Sequence, residues 1–351
     1  MKTMNAAVLE EYRRFKWKQV SQPEIADNEV LIKVAYAGIC GSDQHIFKGE
    51  FHPRTKIPFI PGHEFAGVIS ATGPKVLKFH AGDHVAVDPI IWCGKCPACL
   101  RHHYPACSSL KLLGVDVNGG FAEYINVPEH MLYSVDKSIP IHHAALVEIL
   151  SIGFHACSRA NVKKDDTVVI WGAGKVGQSI LQAVRTKTAN TVIMIDLLDK
   201  RLNLAKSHYS DIITINAGKE NPVERVKEIS GGKGVDIAFE AVGHHTDVKG
   251  VVNPVRGCIQ SIRGAGTVCV LGLGDEPLPL LMKELIWKEA KIVASRVSHG
   301  EFAETIENLR KGTLKPDALV TDILNPEMIQ NGFEMLENEP ENHLKILLKF
   351  A

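Results

Sequence analysis

From Asp166 onward, short wholly apolar runs alternate with amphipathic stretches, the pattern of buried parallel strands separated by helices. "TVVIWGAGKVGQ" reads as a strand that turns through Gly172, Gly174 and Gly177 into a helix, and "VGQSILQAVRT" carries apolar residues at helical spacing. Further strands are predicted in "TVIMID", "DIITI", "VDIAFEAVG", "GTVCVLGLG" and "KIVAS", with helix-like "RLNLAKSH" and "PVERVKEIS" among them. Six strands with intervening helices predict a doubly wound parallel sheet over residues 151–292. Residues 1–150 are loop-rich instead and predict an irregular, β-rich domain. The expected fold class is α/β, in two domains.

The glycines carry chemistry as well as shape. Following a strand, G-x-G-x-x-G permits a tight turn, close approach of backbone to a pyrophosphate and close helix packing. The helix that opens at Lys175 and Val176 presents free N–H groups to that anion. Asp196 ends the next strand nineteen residues beyond Gly177, where a carboxylate accepts hydrogen bonds from ribose hydroxyls and repels a 2′-phosphate. The expected cofactor is therefore NAD rather than NADP. Lys200 and Arg201 could accommodate a phosphate, although "DKRL" also reads as a solvated helix start.

Composition narrows the partners. Lys plus Arg equals Asp plus Glu at 40 each, 45% of the 351 residues are apolar and 23% charged, and no block of like charge stands out. This argues against a nucleic-acid track or a membrane-binding face and points to a small neutral or weakly charged partner. The opening "MKTMNAAVLEEYRRF" lacks the long apolar stretch of a signal peptide, and no run approaches a bilayer span. A cytoplasmic location with reduced thiols is expected.

Reduced thiols change the meaning of "CGKCPACLRHHYPAC". Its spacing from Cys93 is C-x2-C-x2-C-x7-C, so Cys93, Cys96 and Cys99 can curl round one point while the loop through Tyr104 and Pro105 returns Cys107. Four thiolates then close a tetrahedron at about 2.3 Å from a zinc ion. An iron–sulfur cluster also takes four cysteines, and one C-x2-C pair would suit a redox protein, which has no need of the other two thiols. A zinc with four thiolates has no vacant position and would be structural. Cys157, Cys258 and Cys269 read as small apolar filler.

"AGICGSDQH" and "PFIPGHEFAG" supply Cys40, Ser42, His45, His63 and Glu64 from loops rich in glycine and proline. One thiolate, one imidazole and one carboxylate are three ligands of the kind that leave zinc an open fourth position. The bland alternative is a buried cysteine near an unrelated surface histidine.

In combination these stretches resemble the zinc-dependent medium-chain dehydrogenases. "CGSDQH", "GHEFAG", "GDHV", the four-cysteine lobe and "GGFAEY" occur in that family's order over nearly the whole chain, and the likeness is to the branch of sorbitol, threonine and related secondary-alcohol dehydrogenases. The resemblance implies a GroES-like catalytic domain over 1–150, completed by 293–351, a Rossmann domain over 151–292, and an active site between them. It implies a catalytic zinc on Cys40 and His63, with Glu64 as a ligand. Glu148 stands where simple alcohol dehydrogenases have a second cysteine, either reaching the metal or holding its water. A second, structural zinc is implied on the four-cysteine lobe.

By the same resemblance Ser42 and His45 pass a proton from the substrate hydroxyl towards solvent, as hydride goes to nicotinamide. Val242, Gly243 and Leu271, Gly272, Leu273 and Gly274 are implied to line the nicotinamide, and Phe121 and Arg296 the substrate. An arginine suits a carboxylate or hydroxyl partner, so a polyol, sugar acid or inositol-type secondary alcohol is expected. Val297–His299 depart from the patterns of sorbitol and threonine enzymes, and neither substrate is assigned. The rival readings are a threonine-type amino-alcohol dehydrogenase, a non-catalytic NAD-sensing protein and a cysteine-based redox protein. The resemblance also implies a homo-oligomer, a tetramer in preference to a dimer.

Overall fold

A computed structural model gives the structure and describes residues 2–243, 252–274 and 277–351. The chain divides into two units, Met1–Glu148 with Phe302–Gly312 and Leu319–Ala351, and Ile149–Glu301 with Thr313–Ala318. The first unit contains β1 (Thr3–Glu11), β2 (Arg14–Ser21), β3 (Glu29–Gly38), β4 (Glu64–Thr72), β5 (His84–Val87), β6 (Ile90–Ile91), β7 (Lys111–Leu112), β8 (Tyr124–Pro128) and β9 (Leu132–Ser134). The second contains β10 (Val168–Trp171), β11 (Val192–Asp196), β12 (Ile213–Asn216), β13 (Val235–Glu240), β14 (Ile262–Val270) and β15 (Lys291–Ala294). The chain then returns to the first unit with β16 (Val320–Leu324) and β17 (Lys345–Lys349).

The second unit is the doubly wound sheet expected, six parallel strands in the order β12-β11-β10-β13-β14-β15. Its central strands are mostly apolar because helices cover both faces, and Val169, Ile193, Ile195, Ala238 and Val268 are at most 1% exposed. Sheet order reverses between β10 and β13, which is where open α/β sheets bind ligands beyond the carboxyl ends of their strands. Gly177 lets the helix Lys175–Lys187 lie against the turn before it, since a Cβ there would fall 1.8 Å from the Gly172 carbonyl oxygen.

The first unit is the β-rich GroES-like one. Its seven-stranded sheet runs β16-β17-β3-β4-β5-β9, with β8 pairing to β3, and Ile32, Val34, Phe65, Val85 and Phe121 fill a core beside it. Gly38 at the end of β3 faces Glu64 on one side and Leu347 of β17 on the other. That register draws Lys345, the first residue of β17, under the same corner. Lys345 and Glu64 are both fully buried, and the ammonium donates to the Glu64 carboxylate and to the Ile39 carbonyl at 3.2 Å. Among the described residues no helix is long and apolar enough to cross a membrane.

Two outcomes are expected in denaturant unfolding. Gly177→Ala forces a methyl into backbone and costs about 2–3 kcal/mol, the upper range for overpacking. Lys345→Met leaves Glu64 as an unpaired buried charge and costs about 3–5 kcal/mol with chelator present. Adding Glu64→Gln to Lys345→Met recovers most of that loss; a double variant as unstable as the sum of the two singles would contradict the pairing.

Candidate active site

The β3–β4 pairing assembles the first cluster. Cys40 lies two residues beyond β3 and immediately before the helix Gly41–Lys48, while His63 directly precedes β4. With Gly38 opposite Glu64, the two chain ends meet, and one ligand-capable atom from each of Cys40, His63 and Glu64 lies within 4.8 Å of the others. Gly38 makes room for this, because a Cβ there would sit 2.5 Å from Glu64 Oε2. Gly62 turns the chain into His63 at φ +99, and a Cβ on it would meet the Phe121 ring at 2.5 Å.

Ser42 Oγ lies 3.3 Å from His63 Nε2. On the other side of the ring, His63 Nδ1 is 3.5 Å from Asp43 Oδ1, and Asp43 Oδ2 accepts the Cys40 N–H at 2.8 Å. One buried carboxylate thus hydrogen-bonds the thiol segment and lies within ion-pair range of the imidazole, with Nε2 on the cluster side. Glu148 is buried and its Oε2 has no hydrogen-bond partner among the described residues. His45 is half exposed, pairs through Nδ1 with the Glu50 carboxylate, and stacks on Phe51 with ring centroids 5.6 Å apart.

Charges set the character of this corner. Burial and the Glu64 carboxylate oppose ionisation of the Cys40 thiol, yet His63 and Lys345 carry it below the usual thiol range. Burial acts against a charged His63, but Asp43 and Cys40 hold its proton well above the usual imidazole range. At Glu148 burial pushes the carboxyl well up, and the nearby Glu64 and Cys40 add to the effect against His63. Cys40, His63 and Glu64 thus converge on one buried spot, with the Glu148 carboxyl near enough to feel their charge and Lys345 paired to Glu64. Such a spot fits a divalent cation: the donors are of the sulfur, nitrogen and oxygen types zinc takes, and Glu148 Oε2 stands without a hydrogen-bond partner among the described residues.

The four-cysteine lobe folds as the spacing predicts. Sγ atoms of Cys93, Cys96, Cys99 and Cys107 all lie within 4.8 Å of one another, with Cys93 and Cys99 4.0 Å apart. A tetrahedron at zinc–sulfur bond length has edges of about 3.8 Å, so the set is of the size that ion takes. Backbone N–H groups of Cys93 and Ser109 each reach Cys107 Sγ at 3.4 Å. Hydrogen bonds from the backbone of Cys99 and Ser108 pull the Cys96 thiol down to about 5, favouring the thiolate. All four thiols are free, and Cys157, Cys258 and Cys269 are buried elsewhere.

In the second unit Gly172 has φ +101, Gly174 precedes the helix at Lys175, and Gly177 seals the helix against the turn. Val176 lies in the first turn of that helix. Asp196 ends β11 and is already engaged on both oxygens, accepting Ala173 N–H at 2.7 Å and Leu198 N–H at 2.9 Å. Arg201 stands over the glycine turn, its guanidinium 3.8 Å from where a Gly174 Cβ would be. Val242 and Gly243 follow β13, and Leu271, Gly272, Leu273 and Gly274 follow β14. Leu273 is 79% exposed, an unusual position for a large apolar side chain.

Two expected substrate contacts fall in different surroundings. Phe121 is wholly buried in the first unit, T-shaped against Phe333 and backing the loop that carries His63, so it presents no open face. Arg296 is exposed just past β15, and the next residue, Val297, is left-handed at φ 47, a costly conformation for a β-branched side chain. Sequence reasoning missed Asp43, Lys345 and Glu240. Only Asp43 left a local sign, an acidic residue three positions after a ligand-type cysteine.

Residues 26–137 match the alcohol dehydrogenase GroES-like domain family, and residues 176–311 the zinc-binding dehydrogenase family. Sorbitol dehydrogenase of Bacillus subtilis (strain 168) is 33% identical over 351 residues, 98% of this chain and 97% of that protein. L-idonate 5-dehydrogenase of Vitis vinifera is 30% identical over 305 residues, 85% of this chain and 81% of that one. Among solved structures, the alcohol dehydrogenase rspB of E. coli CFT073, complexed with NADH, has a TM-score of 0.89 and 28% identity, over 99% of this chain and 100% of that chain. With both families matched in sequence order, and likeness sustained along nearly its whole length, the chain belongs to the zinc-binding alcohol dehydrogenases, a family of medium-chain oxidoreductases.

Proposed function

We propose that the protein oxidises a secondary alcohol of a polyol or sugar acid to the ketone, with NAD as hydride acceptor. The observation that carries this reading is the convergence of Cys40, His63 and Glu64 within 4.8 Å, near a Glu148 oxygen that has no hydrogen-bond partner among the described residues. In this reading Cys40, His63 and one or both of Glu64 and Glu148 hold a catalytic zinc, and Cys93, Cys96, Cys99 and Cys107 a structural one. Bound there, zinc would lower the pKa of a coordinated hydroxyl by many units, as it does for water.

The chain's own residues do the rest. Asp43 fixes the imidazole of His63 so that Nε2 faces the cluster, the orienting role that a carboxylate plays behind a ligand histidine. Ser42, 3.3 Å from that nitrogen, receives the substrate's proton, and His45 delivers it outward, where its contact with Glu50 is half exposed. Lys345 balances Glu64 while the ligands are deprotonated. Residues 1–150 with 293–351 would supply this chemistry and 151–292 the cofactor.

NAD is favoured over NADP because Asp196 puts a fixed negative charge at the end of β11, where the 2′-phosphate would come. Among the structural neighbours, rspB is complexed with NADH and a zinc-binding dehydrogenase of Sinorhizobium meliloti 1021 with NADP, so the preference rests on Asp196. A sugar acid suits the exposed guanidinium of Arg296, and L-idonate 5-dehydrogenase among the relatives acts on such a compound by its name. Association of copies is supported by the apolar surface on the helix Met282–Ile286 and edge strand β15, where Met282, Ile286 and Trp287 are 58%, 71% and 79% exposed.

Metal analysis joined to an NAD-reduction screen over sugar alcohols, sugar acids and threonine tests the reading. Two zinc ions per chain and turnover of a polyol or sugar acid are expected, and zinc-loaded protein inert towards every secondary alcohol would refute it. Preference for NADP by roughly tenfold, about 1.4 kcal/mol, would overturn the cofactor assignment. His45→Ala should slow oxidation on the order of tenfold or more, most severely at low pH where proton release to solvent is uphill. An unchanged rate and pH profile would remove His45 from the relay.

A further inference from the structure

Glu240, the last residue of β13, is 2% exposed and lies beside the point where the sheet order reverses. Its side chain accepts three backbone N–H groups: Oε1 takes Val242 at 2.8 Å and Gly243 at 3.2 Å, and Oε2 takes Gly272 at 3.1 Å. One carboxylate therefore ties the loop leaving β13 to the loop leaving β14. The fit requires glycine, since a Cβ on Gly272 would lie 2.5 Å from both Glu240 Oε2 and Gly243 N, and Gly243 itself has φ +78.

No cationic side chain among the described residues pairs with this carboxylate. Neutral N–H donors satisfy its lone pairs without cancelling its net charge. Its field reaches the neighbouring helix: burial first, and then the charge of Glu240, push the Cys258 thiol well up. In a doubly wound sheet the half beyond the reversal takes the second nucleotide. On the reading above, that is the nicotinamide, a pyridinium cation in NAD and a neutral ring in NADH.

We infer that Glu240 is a positioning residue that fixes both loops against the nicotinamide and, as a buried carboxylate with no cationic partner among the described residues, favours the oxidised, cationic cofactor over the reduced one. Proton and hydride transfer are unchanged by it; what shifts is the balance between the two bound forms. That balance favours alcohol oxidation at binding and speeds release of NADH afterwards.

The test compares dissociation constants for NADH, by fluorescence titration, and NAD, by calorimetry, on the zinc-replete full chain. Glu240→Gln keeps shape and the acceptor for Val242 and Gly243 but removes the charge. The ratio Kd(NAD)/Kd(NADH) should rise roughly three- to tenfold, the scale of one screened unit charge inside a protein. Glu240→Asp, which keeps the charge and shortens the reach, should weaken both forms while leaving the ratio within about twofold of the parent. Gly272→Ala, which disturbs the loops and leaves the charge, should behave like Glu240→Asp. Equal weakening of both forms in Glu240→Gln, or a matching rise of the ratio in Gly272→Ala, would overturn the inference. A parent protein that binds neither cofactor would instead overturn the underlying NAD reading.

Discussion

The ladder between β3 and β4, with Gly38 set opposite Glu64, is the constraint on which the candidate site rests. It converts two loops 23 residues apart, at Cys40 and His63, into one corner. A side chain at position 38 would occupy the volume of the Glu64 carboxylate. The corner then needs a cation, because Glu64 is wholly buried and a lone carboxylate in that setting is costly. β17 supplies it by pairing on the other side of β3 and bringing Lys345 beneath. A buried pair of this kind contributes little net stability compared with packed apolar residues. Its presence makes sense where the carboxylate itself is wanted, close to a thiol and an imidazole.

On the proposed reading the two donor clusters divide the chemistry between them. Four sulfurs drawn from one fifteen-residue loop converge, the donor set of a closed shell, with local backbone N–H groups reaching Cys107. The Cys40 cluster mixes sulfur, nitrogen and oxygen from separate segments and depends on sheet register. A closed thiolate shell can only fasten a loop, whereas a mixed and incomplete set can exchange a ligand for substrate. Placing the second kind of set at the ends of ordered strands gives the rigidity that reactive geometry demands.

How much of this was legible in the sequence follows from the range of each interaction. The cysteine lobe and the glycine turn are written within fifteen and six residues, so spacing alone forecast them. The strands of the second unit were visible because the central ones are covered on both faces, which makes them runs of mostly apolar residues. Ligand types at Cys40, His63 and Glu64 could be read, but their meeting depends on a register that no local pattern encodes. Lys345 was invisible for the same reason: its partner is 281 residues away, and a lysine opening "KILLK" looks like the polar end of a strand. Glu240 was hidden as the close of an apolar run, and Phe121 was read from its motif when its ring belongs to the core.

Both units use one device, a buried carboxylate at a strand end made possible by a glycine whose absent Cβ leaves 2.5 Å of room. They differ in how the charge is met. Glu64 is balanced by a fixed ammonium, so its field is largely spent within the corner, and its free energy depends on the state of the ligands around it. Glu240 is met by three amide dipoles, which satisfy geometry while letting the charge act on whatever lies beyond the loops. A carboxylate that served only to hold two loops together could be replaced by an amide or a hydroxyl network with no charge to bury. Retaining the full charge, with no paired cation among the described residues, is explicable if the group it faces alternates between cationic and neutral forms, as the inferred nicotinamide does.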